Sequence, residues 1–133
     1  MTAPTYGMSD AELLAWPTVY RPDLFQGQVA LVTGAGSGLG KAIAVLLGRL
    51  GATIVACGRA PEKLEALVSL LRPHGVTVDA RPMTIRDPVQ VEDAIDATLA
   101  SHGRLDLLVN NGRGQVPQAA IDCSVKGWNA VID

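Results

Sequence analysis

The chain has 133 residues, of which 48% are apolar, and its formal net charge is −2 at pH 7. That size and apolar content suit one domain with its own core, and the slight acidity gives no electrostatic case for nucleic-acid binding. With no apolar run near eighteen residues, no secretory signal, and two isolated cysteines (Cys57 and Cys123), the sequence predicts a cytoplasmic protein without a membrane span, metal site or disulfide framework.

Residues 1–26 are predicted to be an extension rich in aromatic and proline residues. Ser9 followed by Glu12 three residues later is typical of a capping box, so a short helix is expected over 9–15. Aromatic, proline-punctuated arms pack on their own domain or on a neighbouring subunit. We therefore expect this segment to be ordered and to contact another subunit, either in a homo-oligomer or in a complementing chain.

The segment 29–40 predicts a buried strand near 29–33, a glycine-rich turn, and the start of a helix over 38–50. The turn has the spacing Thr-Gly-x-x-x-Gly-x-Gly. An apolar helix face is predicted from Leu39, Ala42, Ile43, Leu46, Leu47 and Leu50. A strand end, small residues and the free N–H groups of a helix start are what a diphosphate requires, although such turns also serve as bare connections. The predicted diphosphate-binding residues are Gly34, Ser37, Gly38, Leu39 and Gly40.

Strands near 53–57, 76–80 and 105–109 are expected to alternate with helices near 61–72 and 88–101. Buried helix faces are predicted from Leu64, Leu67, Val68 and Leu71, and from Val91, Ala94, Ile95 and Leu99. Cys57 is interpreted as a small core residue, and His74 and His102 as cations at helix ends. This alternation predicts an α/β fold with a doubly wound parallel sheet and helices on both faces.

A second motif, Asn110-Asn111-Gly112, follows the fourth predicted strand. The two motifs, in this order, resemble the short-chain dehydrogenase/reductase superfamily, which implies a Rossmann-type fold over residues 27–133. The resemblance implies that Asn110 and Gly112 border the cofactor. Asn111 is interpreted as a residue that caps the turn, because asparagine bonds readily to nearby backbone.

The end of the second strand predicts the choice of cofactor. In NAD-binding proteins of this fold, a carboxylate at this position binds the ribose and would repel a phosphate; here the position is Gly58. Arg59 and Lys63 offer positive charge to the 2′-phosphate of NADP. We therefore predict NADP(H), although both cations are also consistent with ordinary solvated side chains. The resemblance further implies that Thr84 and Ile85 flank the adenine.

The stretch Asn-Asn-Gly-Arg-Gly-Gln, with Lys126-Gly127-Trp128 after it, resembles 2,4-dienoyl-CoA and trans-2-enoyl-CoA reductases. The resemblance implies reduction of unsaturated acyl-CoA thioesters, and a ketone or alcohol substrate remains open. The chain departs from that pattern at Arg113, where those enzymes carry glycine. Arg113 is expected either to meet an anionic group of the substrate or to point into water.

The superfamily's catalytic Tyr-x-x-x-Lys does not occur in this sequence. Four residues beyond Tyr6 and Tyr20 stand Asp10 and Leu24. No catalytic residue is therefore predicted, and the chain is interpreted as the cofactor-binding part of an oxidoreductase, truncated after the fourth strand and inactive alone. A non-catalytic dinucleotide-binding or regulatory module is the alternative. A methyltransferase is disfavoured because it would need an acidic residue in place of Gly58.

Overall fold

The computed structural model describes residues 7–113, 120–122 and 124–132. The helices are α1 (Asp10–Ala15), α2 (Gly38–Arg49), α3 (Pro61–Leu71), α4 (Pro88–His102) and α5 (Val125–Ile132). The strands are β1 (Val29–Thr33), β2 (Thr53–Gly58), β3 (Val78–Pro82) and β4 (Leu107–Val109). Among the described helices, not one combines the length and the hydropathy that a membrane crossing requires. Tyr6 and Cys123 lie outside the described residues.

The four strands form one parallel sheet in the order β3-β2-β1-β4. All five residues of β1 are buried, as expected for a parallel strand that is covered on both faces. The predicted Rossmann-type α/β fold is therefore confirmed, with β4 at one edge of the sheet. The third and fourth strands begin two residues later than the sequence predicts.

Two core clusters cover the two faces of the sheet. Ile54 and Ala56 of β2 belong to the cluster that includes α2 and α3, whereas Val55 and Cys57 belong to the cluster that includes Ala94 of α4. This alternation follows from the twofold side-chain period of a strand. The predicted buried face of α3 is confirmed at all four of its residues, and Cys57 is a core residue as predicted.

The predicted buried face of α2 is correct only at its C-terminal end, where Leu50 is buried and Leu47 packs against the core. Leu39 is 65% exposed and Leu46 is 37% exposed, and the buried residues within the helix are Gly40, Ala44, Val45 and Gly48. The reason is steric, because a Cβ at Gly48 would lie 2.7 Å from Cγ1 of Val76. The helix approaches the sheet through its glycines, which a search for large apolar residues does not count.

The predicted face of α4 is only partly correct. Ala94 is buried, but Leu99 is 45% exposed and Thr98 is buried in its place. Thr98 tolerates this position because its hydroxyl donates a hydrogen bond of 2.7 Å to the carbonyl of Ala94 in the preceding turn. His102 lies at the end of the helix, as predicted, and its Nε2 lies 2.7 Å from Oδ2 of Asp79 in β3.

The N-terminal arm is ordered over its described residues and packs on its own domain. The predicted capping box of α1 is confirmed, since Ser9 Oγ accepts from the Glu12 N–H and Glu12 Oε2 accepts from the Ser9 N–H. Arg49 at the end of α2 donates to the carbonyls of Leu13 and Trp16, at 2.9 and 2.7 Å. The domain boundary at residue 27 and the contact with another subunit stay predictions.

Candidate functional site

A cleft of about 550 Å³ opens where all four strands end, at the carboxyl edge of the sheet. Parallel α/β sheets bind ligands at this edge, and small-molecule sites typically measure roughly 300–1,000 Å³. Its lining comes from the turn after β1, from the end of β2 with the start of α3, and from the segments that follow β3 and β4.

The turn after β1 has glycine where its own packing leaves no room for a side chain. Gly34 has a left-handed φ of 66°, and a Cβ at Gly36 would lie 2.9 Å from Cβ of Lys63. A Cβ at Gly40 would overlap the carbonyl oxygen of Gly34. These constraints fix the turn in one shape before any ligand is considered.

The start of α2 faces the cleft without a side-chain cap. Ser37 is the N-cap residue, in extended conformation, and its hydroxyl makes no capping hydrogen bond. The first turn of the helix contains no acidic residue. The first N–H groups of a helix have no partner within it and carry the positive end of its dipole, so this position suits an anion.

Thr33 joins the two sequence motifs. Its Oγ1 accepts hydrogen bonds from the N–H groups of Asn111 and Gly112, at 3.0 and 2.7 Å, and donates to the Val109 carbonyl at 3.3 Å. The Asn111 amide donates in return to the carbonyls of Thr33 and Gly34, at 3.1 and 3.4 Å. The end of β4 is thereby fastened to the turn after β1, and Asn111 bonds across the sheet rather than only within its own turn.

Most of the predicted site residues come together in the cleft. Those that line it are Gly34, Ser37, Leu39, Arg59, Lys63, Thr84, Ile85 and Gly112. Gly38, Gly40 and Asn110 are not among the lining residues: Gly40 is buried under the turn and Asn110 is exposed outside the cleft. Their roles, like those of the lining residues, stay predictions.

Sequence reasoning missed several lining residues. They are Gly36, Ala60, Leu64, Met83, Arg86 and Asn111, whereas Gly58 and Arg113, which also line the cleft, had been singled out from the sequence. Met83 and Arg86 directly flank the predicted pair Thr84-Ile85, so their place in the chain was the available signal. Asn111 carried no such signal, because its partners lie 77 and 78 residues away in the chain.

The segment after β3 supplies an apolar surface and a cation. Met83 is 7% exposed and Ile85 is 47% exposed. Ile85 reaches the end of β4, since a Cβ at Gly112 would lie 3.4 Å from its Cδ1. Thr84 Oγ1 accepts a hydrogen bond of 3.4 Å from the N–H of Arg86, so this hydroxyl also shapes its own loop.

The charge of the cleft is positive. Arg59, Lys63, Arg86 and Arg113 line it and are exposed, and no carboxylate is found among the described lining residues. Arg59, Lys63 and Arg113 make no side-chain hydrogen bond or ion pair to any part of the chain that the structure describes. A Cβ at Gly58 would meet Leu64 only at 3.4 Å, so packing does not by itself forbid a side chain there.

Among the described residues, neither Cys57 nor a cluster of metal ligands adds a reactive group to this site. Burial raises the pKa of the Cys57 thiol to about 11, which keeps it protonated and unreactive near neutrality. Within residues 7–113, 120–122 and 124–132, histidine, cysteine and carboxylate side chains nowhere gather in a group of three that could bind a metal ion.

Comparisons with known proteins match this sequence and this fold to one family. The chain is 38% identical over 114 residues to a peroxisomal 2,4-dienoyl-CoA reductase of Arabidopsis thaliana, covering 86% of the chain and 38% of the relative. A metagenomic short-chain oxidoreductase solved with NADP superposes with a TM-score of 0.74 at 35% identity, covering 80% of this chain and 49% of that one. A short chain dehydrogenase of Mycobacterium paratuberculosis bound to NAD gives 0.77 at 29% identity, covering 81% and 45%.

The chain thus spans less than half the length of these relatives. The family model described as short chain dehydrogenase matches residues 28–133, which include the glycine turn, Arg59 with Lys63, and the Asn-Asn-Gly segment. The chain therefore belongs to the short chain dehydrogenase family.

Proposed function

We propose that this chain is the cofactor-binding part of an NADP(H)-dependent short-chain oxidoreductase. The observation that carries the proposal is the pair of unpaired cations, Arg59 and Lys63, beside Gly58 at the end of β2. Solved relatives hold NADP in one case and NAD in another, so family membership alone leaves the cofactor open. The positive charge of Arg59 and Lys63 favours NADP(H), which carries the additional 2′-phosphate.

Each part of NADP(H) has a matching surface in the cleft. The N–H groups at the start of α2 and the Ser37 hydroxyl would hold the diphosphate, and Arg59 with Lys63 would hold the 2′-phosphate. Met83 and Ile85 offer an apolar surface to the adenine. When bound, the nicotinamide supplies or accepts the hydride, and this chain's residues position it.

An enoyl-CoA thioester is the proposed substrate, with a ketone or alcohol as the alternative. The proposal is supported by the similarity to the Arabidopsis reductase and by the Asn-Asn-Gly segment, which resembles that of enoyl-CoA reductases. The sequence contains no Tyr-x-x-x-Lys, so we propose that this chain alone does not turn over substrate. The same observation favours the second candidate, a non-catalytic dinucleotide-binding or regulatory module.

Location and assembly also remain proposals. We infer a cytoplasmic protein that works as a homo-oligomer or with a complementing chain. The Arabidopsis relative is named as peroxisomal, and that location is stated of the relative alone.

Calorimetric titration with NADPH and NADH tests the cofactor assignment. We expect NADPH to bind at least about tenfold more tightly than NADH, because the 2′-phosphate forms charge-assisted bonds that NADH lacks. Arg59→Gln should abolish most of this preference while leaving NADH binding unchanged. Arg72→Gln is the matched control, because Arg72 is exposed and lies outside the cleft. Tighter binding of NADH by the wild-type chain would contradict the proposal.

Adding NADPH and a dienoyl-CoA to the chain separates the two candidate functions. The chain alone should show no oxidation of NADPH. Restoration of turnover by a polypeptide that supplies the family's Tyr-x-x-x-Lys would favour the oxidoreductase, whereas its failure would favour the non-catalytic module.

A further inference from the structure

A second pair of cations remains in the cleft after every phosphate of NADP(H) has been given a partner. In the proposed arrangement, the start of α2 would hold the diphosphate, and Arg59 with Lys63 would hold the 2′-phosphate. Arg86 and Arg113 are exposed, line the same cleft, and have no assigned role in this arrangement. Because no described carboxylate lines the cleft, an anionic ligand would offset the repulsion between its positive charges.

The two arginines start from neighbouring points of the chain. Ile85 lies beside Gly112, since a Cβ added there would lie 3.4 Å from its Cδ1, and Arg86 and Arg113 are the next residues along the two loops. Both loops follow strands that end at the carboxyl edge of the sheet.

The two guanidinium groups differ in how firmly they are held. Arg86 Nη2 donates a hydrogen bond of 3.3 Å to the carbonyl of Asn129 in α5, which fixes one edge of the group and leaves its other N–H donors free. Arg113 makes no side-chain hydrogen bond or ion pair to the described residues. By contrast, cations outside the cleft include several in ion pairs, such as Lys41 with Asp10 and Arg104 with Asp106.

We propose that Arg86 and Arg113 form a specificity-determining site for a phosphoryl group of a coenzyme A thioester substrate. A simple ketone or alcohol carries no charge that would use this pair, whereas coenzyme A carries a diphosphate and a 3′-phosphate. The planar guanidinium matches a phosphoryl group with two parallel hydrogen bonds. This inference rests on the proposed function and narrows it to substrates that carry coenzyme A.

The test is titration of the chain with coenzyme A, with and without saturating NADPH. We expect Arg113→Gln to weaken coenzyme A binding about fivefold, the size of effect that one solvent-exposed charge-assisted contact provides. The double change with Arg86→Gln should weaken it further, and Arg113→Lys should recover part of the loss. The difference between wild type and Arg113→Gln should shrink as the salt concentration rises, because exposed charges are screened.

Two controls make the result specific. NADPH affinity should change less than about twofold in Arg113→Gln, because the start of α2, Arg59 and Lys63 would hold the cofactor's phosphates. Arg72→Gln removes the same charge from an exposed arginine outside the cleft and should leave coenzyme A binding unchanged. Unchanged far-ultraviolet circular dichroism of each variant shows that it remains folded.

Three outcomes would overturn the inference. Equal coenzyme A affinity in wild type and Arg113→Gln would mean that Arg113 only faces solvent. A greater loss of NADPH than of coenzyme A would assign the pair to the cofactor's diphosphate. No binding of coenzyme A by the wild-type chain would exclude the site, and if NADPH bound in the same experiment the proposed cofactor function would stand.

Discussion

The hydroxyl of Thr33 is expected to contribute more to stability than its size suggests. It accepts two backbone N–H hydrogen bonds from the segment after β4 and donates one to the Val109 carbonyl, and Thr33 is only 7% exposed. Thr33→Val keeps the shape of the side chain and removes all three bonds. At about 1 kcal/mol for each net hydrogen bond, the loss should be roughly 2–4 kcal/mol.

Urea unfolding of wild type, Thr33→Val and Thr33→Ser measures this effect. Thr33→Ser keeps the hydroxyl and loses one buried methyl group, so it should cost only about 1 kcal/mol. Thr33→Val should also weaken NADPH binding, because the turn after β1 loses its connection to Gly112. The reasoning would be refuted if Thr33→Val were as stable as wild type, or if Thr33→Ser were the less stable of the two variants.

Two further predictions concern the packing of α2 and the response to acid. Gly48→Ala should lower the free energy of unfolding by about 1 kcal/mol in urea titrations, because the clash with Val76 outweighs the gain in helix propensity; a more stable variant would contradict this. Hydrogen bonds from Arg104 and from the Val29 N–H hold the pKa of Asp106 below its ordinary value of 3.8. This stabilisation should be complete above about pH 4 and lost as the pH falls through the lower folded-state pKa, and Asp106→Asn should remove that part of the acid dependence.

Local signals in the sequence placed the elements and the cleft correctly. Pro61 and Pro88 stand at the first positions of α3 and α4, and Gly103 caps α4 in the left-handed conformation, as residues with fixed or unusual backbone angles should. Because parallel strands end at one edge, the motifs after β1 and β4 had to meet there. This reasoning needs only the order of strands and helices, which the periodicity of apolar residues supplies.

Contacts between distant segments were beyond this kind of reasoning. The hydrogen bond between His102 and Asp79 forms because α4 runs back along the sheet to the start of β3. Whether the two side chains meet depends on the length of α4 and on the register of β3. The role of Asn111 depends equally on the β1–β4 register, which pairs Val32 with Val109. The glycines in the buried face of α2 were missed for a different reason. Glycine adds little apolar surface, and its role is to let the helix approach its neighbours closely.

The glycines of the turn do not by themselves establish a ligand. Gly36 and Gly40 are required by contacts within the protein, so a bare connection between β1 and α2 would need them equally. Contacts within the protein do not explain the positive charges of the cleft in the same way. Arg59 and Lys63 gain nothing from each other, and no described carboxylate lines the cleft to compensate them. An uncapped helix start facing these cations adds a further positive potential, so the cleft favours an anionic ligand over a neutral one.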